Sequence, residues 1–197
     1  MRRTLDVMTD RSVLNDDAVS AARRLLGAEL TRELPGGTAR LRIVETEAYD
    51  QTDAASHSYS GRTPRTDVMF GPARHLYVYF TYGMHYCMNV VVGPEGYGAA
   101  VLIRAVEPVT RSDEIILQQQ RLKNGVELTN GPAKLCQALA VDRIMNGHDL
   151  AQAPLQLVMS DAIPDETVIT TTRVGISKAR DEPWRFYIRG NPYVSRV

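Results

Sequence analysis

The stretch that most constrains how this chain can fold is Arg42-Ile43-Val44-Glu45-Thr46-Glu47-Ala48-Tyr49, which opens as an apolar strand and closes in two carboxylates and a tyrosine. In a regular strand alternate side chains share a face, so Ile43, Glu45, Glu47 and Tyr49 are expected side by side. A carboxylate turned into a sheet interior is costly unless it is paired or hydrogen-bonded. The end of this strand must therefore reach a polar crevice. Glu45 and Glu47 are candidates for chemistry, with ordinary solvent-facing residues as the alternative, and their spacing does not say which would be the base.

Around that strand the chain alternates apolar runs with turn signals. Ser12 to Gly27 has Leu14, Ala18, Val19, Ala22, Leu25 and Leu26 at helical spacing, with Gly27 as a stop. Short strands are expected over residues 29–33, 39–46, 76–80, 85–92, 99–106, 155–159, 168–172 and 185–189. Pro35-Gly36-Gly37, Tyr82-Gly83 and Gly93-Pro94-Glu95-Gly96 read as turns. A helix capped by Ser112 is expected to run to about Lys123, and Gly131-Pro132 opens another whose stripe is Leu135, Cys136, Leu139 and Ala140. Asp50 to Pro72 has no sustained period; a loop of that length inside a compact domain tends to carry function. Strands and helices are interspersed without regular alternation. The expected fold is therefore a single α+β domain over 1–197, a curved, largely antiparallel sheet with flanking helices.

Composition removes several classes. No apolar run approaches the roughly 20 residues needed to cross a bilayer, and Met1–Val7 lacks the apolar core of a secretory signal, so a cytoplasmic protein without a membrane partner is expected. Cys87 and Cys136 lie in apolar surroundings and read as buried free thiols. Two cysteines and four histidines without metal-ligand spacing argue against a zinc site, and no metal or cofactor is expected. Net charge is zero, with 23 basic and 23 acidic residues, which by itself weakens a nucleic-acid reading. The basic residues are nevertheless in excess over 57–92 (Arg62, Arg65 and Arg74) and over 168–197 (Arg173, Lys178, Arg180, Arg185, Arg189 and Arg196). Two positive segments flanking an aromatic centre suit a modest phosphate footprint.

The aromatic centre is dense. Six of the nine tyrosines (49, 59, 77, 79, 82 and 86) fall between residues 49 and 86. Aromatics at period two usually pack against neighbouring structure, and that is the reading for Tyr77 and Tyr86. Tyrosines around a polar loop also make walls for a planar ligand, and Tyr82 beside Gly83 at a turn is placed to stand proud of the surface as a wedge. His57 lies in the loop, free to hydrogen-bond a heterocycle. Asn89 is either bonded to backbone or used to inspect a ligand edge. Arg104, the only charged residue in its strand run, either orients a water for a carboxylate or forms a salt bridge to Glu45 or Glu47.

Val44-Glu45-Thr46-Glu47-Ala48-Tyr49, Ala55-Ser56-His57-Ser58 and Leu76-Tyr77-Val78-Tyr79-Phe80-Thr81-Tyr82-Gly83-Met84-His85-Tyr86-Cys87-Met88-Asn89-Val90 closely resemble the alkyladenine DNA glycosylase family. The resemblance continues, in the same order, through 101–108, 131–136, 173–176 and 185–195, and so covers nearly the whole chain. It implies a monofunctional glycosylase of base excision repair, monomeric and without cofactor, whose partner is double-stranded DNA containing damaged purines. By position, Glu47 would be the base that activates water. Arg104 would hold that water together with a carbonyl from 174–176. Tyr49, His57 and Tyr79 would stack on the extruded base, with Val174 and Ile176 lining the pocket and Asn89 opposing the amino group of ordinary guanine. Tyr82 would enter the duplex, Lys134 and Arg189 would meet phosphate, and Glu45 would stand behind Glu47. Two rival readings are a hydrolase of free nucleosides and a non-catalytic reader of damaged DNA. The first has no use for a wedge at Tyr82, and the second has no turnover for Glu47→Gln to abolish.

Overall fold

The computed structural model describes residues 14–195. Helix α1 (Ala18–Arg24) leads to strands β1 (Glu29–Leu34), β2 (Gly37–Tyr49), β3 (Leu76–Thr81), β4 (His85–Val91) and β5 (Ala100–Pro108). Helices α2 (Arg111–Gln118) and α3 (Pro132–Ala138) follow, then β6 (Leu155–Val158), β7 (Val168–Thr171) and β8 (Arg185–Ile188). All strand pairs are antiparallel, in the order β3-β4-β5-β2-β1-β6, with β8 joining β2 to β7. The sheet curls into a half-barrel, as expected of the α+β class. Strand β2 is its axis. One edge of β2 pairs with β5 along most of its length, while the other pairs first with β1 and then, from Glu45 to Glu47, with β8.

The helices follow local chemistry. Asp17 caps α1 by accepting from the backbone N–H groups of Val19 and Ser20, both at 2.9 Å, and the small buried faces of Ala18, Ala21 and Ala22 let the helix lie close on the sheet. The expected start at Ser12 lies outside the described residues. Helix α2 begins one residue before Ser112, because Thr110 and Asp113 form a reciprocal capping box, and it ends at Gln118 rather than Lys123. Pro132 opens α3 in its first turn, and Leu135, Cys136 and Leu139 of the expected stripe are buried, but the helix ends at Ala138 and Ala140, at φ +48, lies exposed beyond it.

Strand β2 departs from the expected pleat where it matters most. Its pairing with β5 runs Ile43 to Val106, Glu45 to Ala105 and Thr46 to Ile103, so Val44 and Arg104 are each an extra residue in their own strand. These adjacent bulges restore the register but reverse which face each following side chain takes. Ala39, Leu41 and Ile43 sit in the main hydrophobic core, and beyond the bulge it is Ala48 that does so. Thr46 donates its hydroxyl to Ala22 O of α1 at 2.8 Å, also on the core side. On β5 the core residues are likewise Val101 and Ile103 on one side of the bulge and Val106 on the other. Ile43 therefore does not share a face with Glu45, Glu47 and Tyr49. An unbroken pleat would have left both carboxylates among the core hydrocarbons; the double bulge turns them away from it.

The loop from Asp50 to Pro72 is ordered by specific bonds. Tyr97 Oη donates to Asp50 Oδ1 at 2.7 Å, Gly98 N–H to Gln51 Oε1 at 2.7 Å, and Ser58 Oγ to Gly98 O at 2.6 Å. A Cβ at Gly98 would stand 2.6 Å from the Phe70 ring and 2.7 Å from Ser58, so only glycine permits this approach. Both cysteines are free and buried, as expected. Among the described residues no helix is long and apolar enough to cross a membrane.

Candidate active site

The bulged end of β2, the 50–61 loop, the β3–β4 hairpin, the start of α3 and the 174–178 segment enclose a cavity of about 690 Å³. Tyr49, His57, Tyr79, Tyr82, Asn89, Arg104, Lys134, Val174 and Ile176 all line it, so nine of the residues singled out in the sequence converge on one space. Glu47 is fully buried and stands directly behind the wall. Its Oε1 accepts from Val174 N–H at 2.7 Å and lies 3.2 Å from Arg104 Nη1, and its Oε2 accepts from Tyr49 Oη at 2.9 Å. All three partners face the cavity. Arg189 does not line it; its Nε donates to Glu166 O at 3.3 Å.

Arg104 forms the salt bridges that its place in the strand offered, and to both glutamates. Its Nε donates to Glu45 Oε1 at 2.7 Å while Nη1 serves Glu47, so it bridges the two carboxylates and still presents an edge to the cavity. Burial disfavours its charge, but the neighbouring Glu47 and Glu45 carboxylates more than compensate and hold its pKa above the ordinary arginine value. Glu45 also takes Arg185 Nε at 2.8 Å, which makes it the inner anchor of the group.

The aromatic walls are interlocked. His57 meets Tyr79 edge-on, with ring centroids 4.6 Å apart and planes at 82°. Its Nδ1 lies 2.9 Å from Tyr77 Oη and its Nε2 lies 3.3 Å from Arg65 Nη2. A guanidinium only donates, so Nε2 accepts and the proton of the neutral ring sits on Nδ1, facing Tyr77. Burial, then the Arg65 charge, lowers the His57 pKa to about 4. Burial and the nearby Glu47 push Tyr49 well above the usual tyrosine range, so its hydroxyl stays protonated as the donor to Glu47. Asn89 Nδ2 donates to Tyr77 O at 3.1 Å, which leaves its carbonyl oxygen for another partner. At the hairpin tip Tyr82 is 79% exposed, with φ +52, next to Gly83 at +68. Both centres of this tight turn are left-handed, as its direction of twist requires. Lys134 donates to Glu127 Oε2 at 2.8 Å and to Asn130 Oδ1 at 2.7 Å at the cavity edge.

Sequence reasoning missed Asp53, Arg173, Arg185 and Ser195. Arg173 is buried between the rings of Tyr49 (4.8 Å) and Trp184 (5.0 Å), and donates to Ala48 O at 2.8 Å and to both oxygens of Asp53. It thus fixes the rear face of Tyr49 and ties the His57 loop to the segment that carries Val174. The phosphate footprint read from the basic segments shrinks accordingly. Arg74, Arg173 and Arg185 are interior groups bonded to Leu157 O, Asp53 and Glu45, and are not exposed to solvent. Counting charges along the chain could not separate them from surface residues.

The curled antiparallel sheet thus sets a buried carboxylate behind an aromatic cavity and an arginine in its wall, the arrangement of an enzyme site. Residues 12–192 match the family model for methylpurine-DNA glycosylase, and the chain belongs to that family. It is accordingly a DNA glycosylase, a hydrolase of N-glycosyl bonds that acts in DNA repair. Among its relatives, a protein of Carboxydothermus hydrogenoformans named "Putative 3-methyladenine DNA glycosylase" is 50% identical over 181 residues, covering 91% of this chain and 94% of the relative. Proteins of the same name from Methanoculleus marisnigri (50% identical; 91% and 94% covered) and Agrobacterium fabrum (43% identical; 100% and 96% covered) extend the likeness.

Proposed function

We propose that the cavity receives a damaged purine turned out of duplex DNA and that Glu47 activates the water that replaces it on the sugar. The observation that carries this reading is the setting of Glu47. A fully buried carboxylate is oriented by Tyr49 Oη, Val174 N–H and Arg104, all of them groups that face an aromatic cavity. A carboxylate so held can draw a proton from a water that sits in the cavity against it and Arg104 while the N-glycosidic bond breaks. Water oxygen then bonds to the sugar C1′, the purine leaves with the bonding electrons, and the product is an abasic site.

Tyr49, His57 and Tyr79 supply the stacking walls. Alkylated purines such as 3-methyladenine and 7-methylguanine carry positive charge, leave readily and stack well against electron-rich rings. His57 stays neutral at neutral pH and so does not repel them. Asn89, anchored by its bond to Tyr77 O, lines the cavity and would exclude the exocyclic amino group of ordinary guanine by its bulk. Tyr82 fills the space left in the duplex, while flipping itself costs a few kcal/mol and least at damaged or mispaired sites. Lys134 at the cavity edge meets a phosphate, and Arg189 provides a second phosphate contact farther out. The protein acts as a monomer in the cytosol.

The decisive experiment incubates wild-type protein and Glu47→Gln with methylated duplex DNA in chelator and measures released purine and binding. Wild type releases 3-methyladenine; Glu47→Gln binds the duplex as tightly and releases at least about a hundredfold less. Equal release by both proteins refutes Glu47 as the base.

A further inference from the structure

Ser195 belongs to the last described stretch of the chain, lines the cavity, and has been given no part so far. Its backbone N–H donates to Glu45 Oε2 at 2.6 Å, its hydroxyl donates to Glu45 Oε1 at 2.9 Å, and that same hydroxyl accepts from Arg104 Nη2 at 3.1 Å. Arg104 Nε, on the same edge of the guanidinium as Nη2, donates to Glu45 Oε1 at 2.7 Å. An arginine beside a carboxylate prefers the two-toothed fork, with one nitrogen on each oxygen. Here the second tooth is held by the serine hydroxyl, and the second carboxylate oxygen is held by the serine N–H. Glu45 is thereby kept from taking both nitrogens of that edge, and Nη1 remains 3.2 Å from Glu47.

We infer that Ser195 is a positioning residue for the glycosylase reaction, a spacer that stops Glu45 from capturing Arg104 in a fork and so keeps the arginine on Glu47. The segment that carries it is built to reach this point. Asn191 Nδ2 donates to Glu107 Oε2 at 2.6 Å and Asn191 Oδ1 accepts from Tyr193 N–H at 2.9 Å, pinning the chain to the end of β5 just before Ser195. Val194 is buried and fixes the next step. Without the hydroxyl, Arg104 Nη2 swings onto Glu45 and draws Nη1 off Glu47. Displacements of this kind, well under the length of a bond to substrate, lower rate without loosening the binding surface.

This inference rests on the reading of Glu47 and Arg104 as the water-activating pair, and its test keeps the two separable. Ser195→Ala and Ser195→Thr are compared with wild type in single-turnover release from methylated duplex, in duplex affinity, in thermal stability and in the NMR signals of the Arg104 guanidinium. Ser195→Ala releases purine about tenfold more slowly, binds duplex within about twofold of wild type, and melts within about 3 °C of it. Ser195→Thr, which restores the hydroxyl, recovers the rate. The two Nη signals of Arg104, distinct when the group is locked, merge or shift in Ser195→Ala. Wild-type rate in Ser195→Ala overturns the inference and leaves the glycosylase reading intact, as does a deficit confined to affinity or melting temperature. Unchanged Arg104 signals in Ser195→Ala overturn it whatever the rates. Absence of release by the wild type refutes the glycosylase reading and takes the catalytic part of the inference with it.

Discussion

Tyr49 Oη donates to Glu47 Oε2 at 2.9 Å, so the ring that walls the cavity is tied by its own hydroxyl to the carboxylate behind it. The two are neighbours on one face of β2, and Arg173 presses on the ring from the rear. Stacking and water activation therefore share one side chain. Tyr49→Phe keeps the ring but strips a buried carboxylate oxygen of its donor. Its single-turnover rate is expected to fall about three- to tenfold with duplex affinity unchanged. Tyr49→Ala loses the wall as well and falls at least about a hundredfold. A Phe variant as slow as the Ala variant would show that the hydroxyl, not the ring, is what matters.

Tyr82 holds a left-handed backbone at φ +52, which a tyrosine adopts at a cost of about 1 kcal/mol. Strain kept at an exposed tip fits a side chain retained for contact with a partner. Tyr82→Asn, which tolerates this conformation, is expected to melt at the same temperature or up to about 2 °C higher. It should cleave methylated duplex at least about tenfold more slowly. Single-stranded substrate should be much less affected. Equal losses on both substrates would remove the wedge role.

His57 titrates near pH 4 in the folded protein and near 6.5 when unfolded. Above pH 6.5 both forms are neutral and the ring adds no pH dependence. Between 6.5 and 4 the unfolded chain binds the extra proton, so this contribution to stability is lost as the pH falls, and it levels off below 4. Melting curves of His57→Gln should therefore be flatter than wild type across that window. Arg65→Ala removes the lesser of the two causes, so an NMR titration should find the His57 pKa raised but still below 6.5.

Asp53 neutralises Arg173 inside the protein, where both side chains are fully buried. Removing one member of such a pair leaves a buried charge uncompensated and costs about 3–5 kcal/mol. Asp53→Ala is expected to melt roughly 10 °C lower and to lose purine release along with it, because the same arginine backs Tyr49. Asp67→Ala, which breaks the exposed pair with Arg62, should change the melting temperature by no more than about 2 °C. Similar losses in both variants would argue against burial as the cause.

Much of the fold was legible because its signals are local. Alternation from Leu76 to Phe80, the Tyr82-Gly83 turn, Pro132 at the start of α3 and the apolar run of β5 each specify their own conformation within a few residues. The aromatic cluster was legible for the same reason. Tyr77 and Tyr79 lie on a hairpin strand, and His57 lies in a long polar loop able to fold back onto it. Arg74, Arg173 and Arg185 were misread as surface charge, because the groups that neutralise them lie far along the chain. Asp53 and Arg173 are 120 residues apart, and nothing near either one marks the pairing.

By itself, then, the sequence determined the element types, the family and the residues gathered around the cavity, since each rests on short-range pattern or on strings of residues. Only the tertiary structure decided which way the two carboxylates face. That choice lies in the paired bulges at Val44 and Arg104, and it arises because two charged side chains could not be left in the hydrocarbon core on the next turn of the pleat. The supporting bonds from Ser195, Arg185 and Val174 exist only once that reversal has been made.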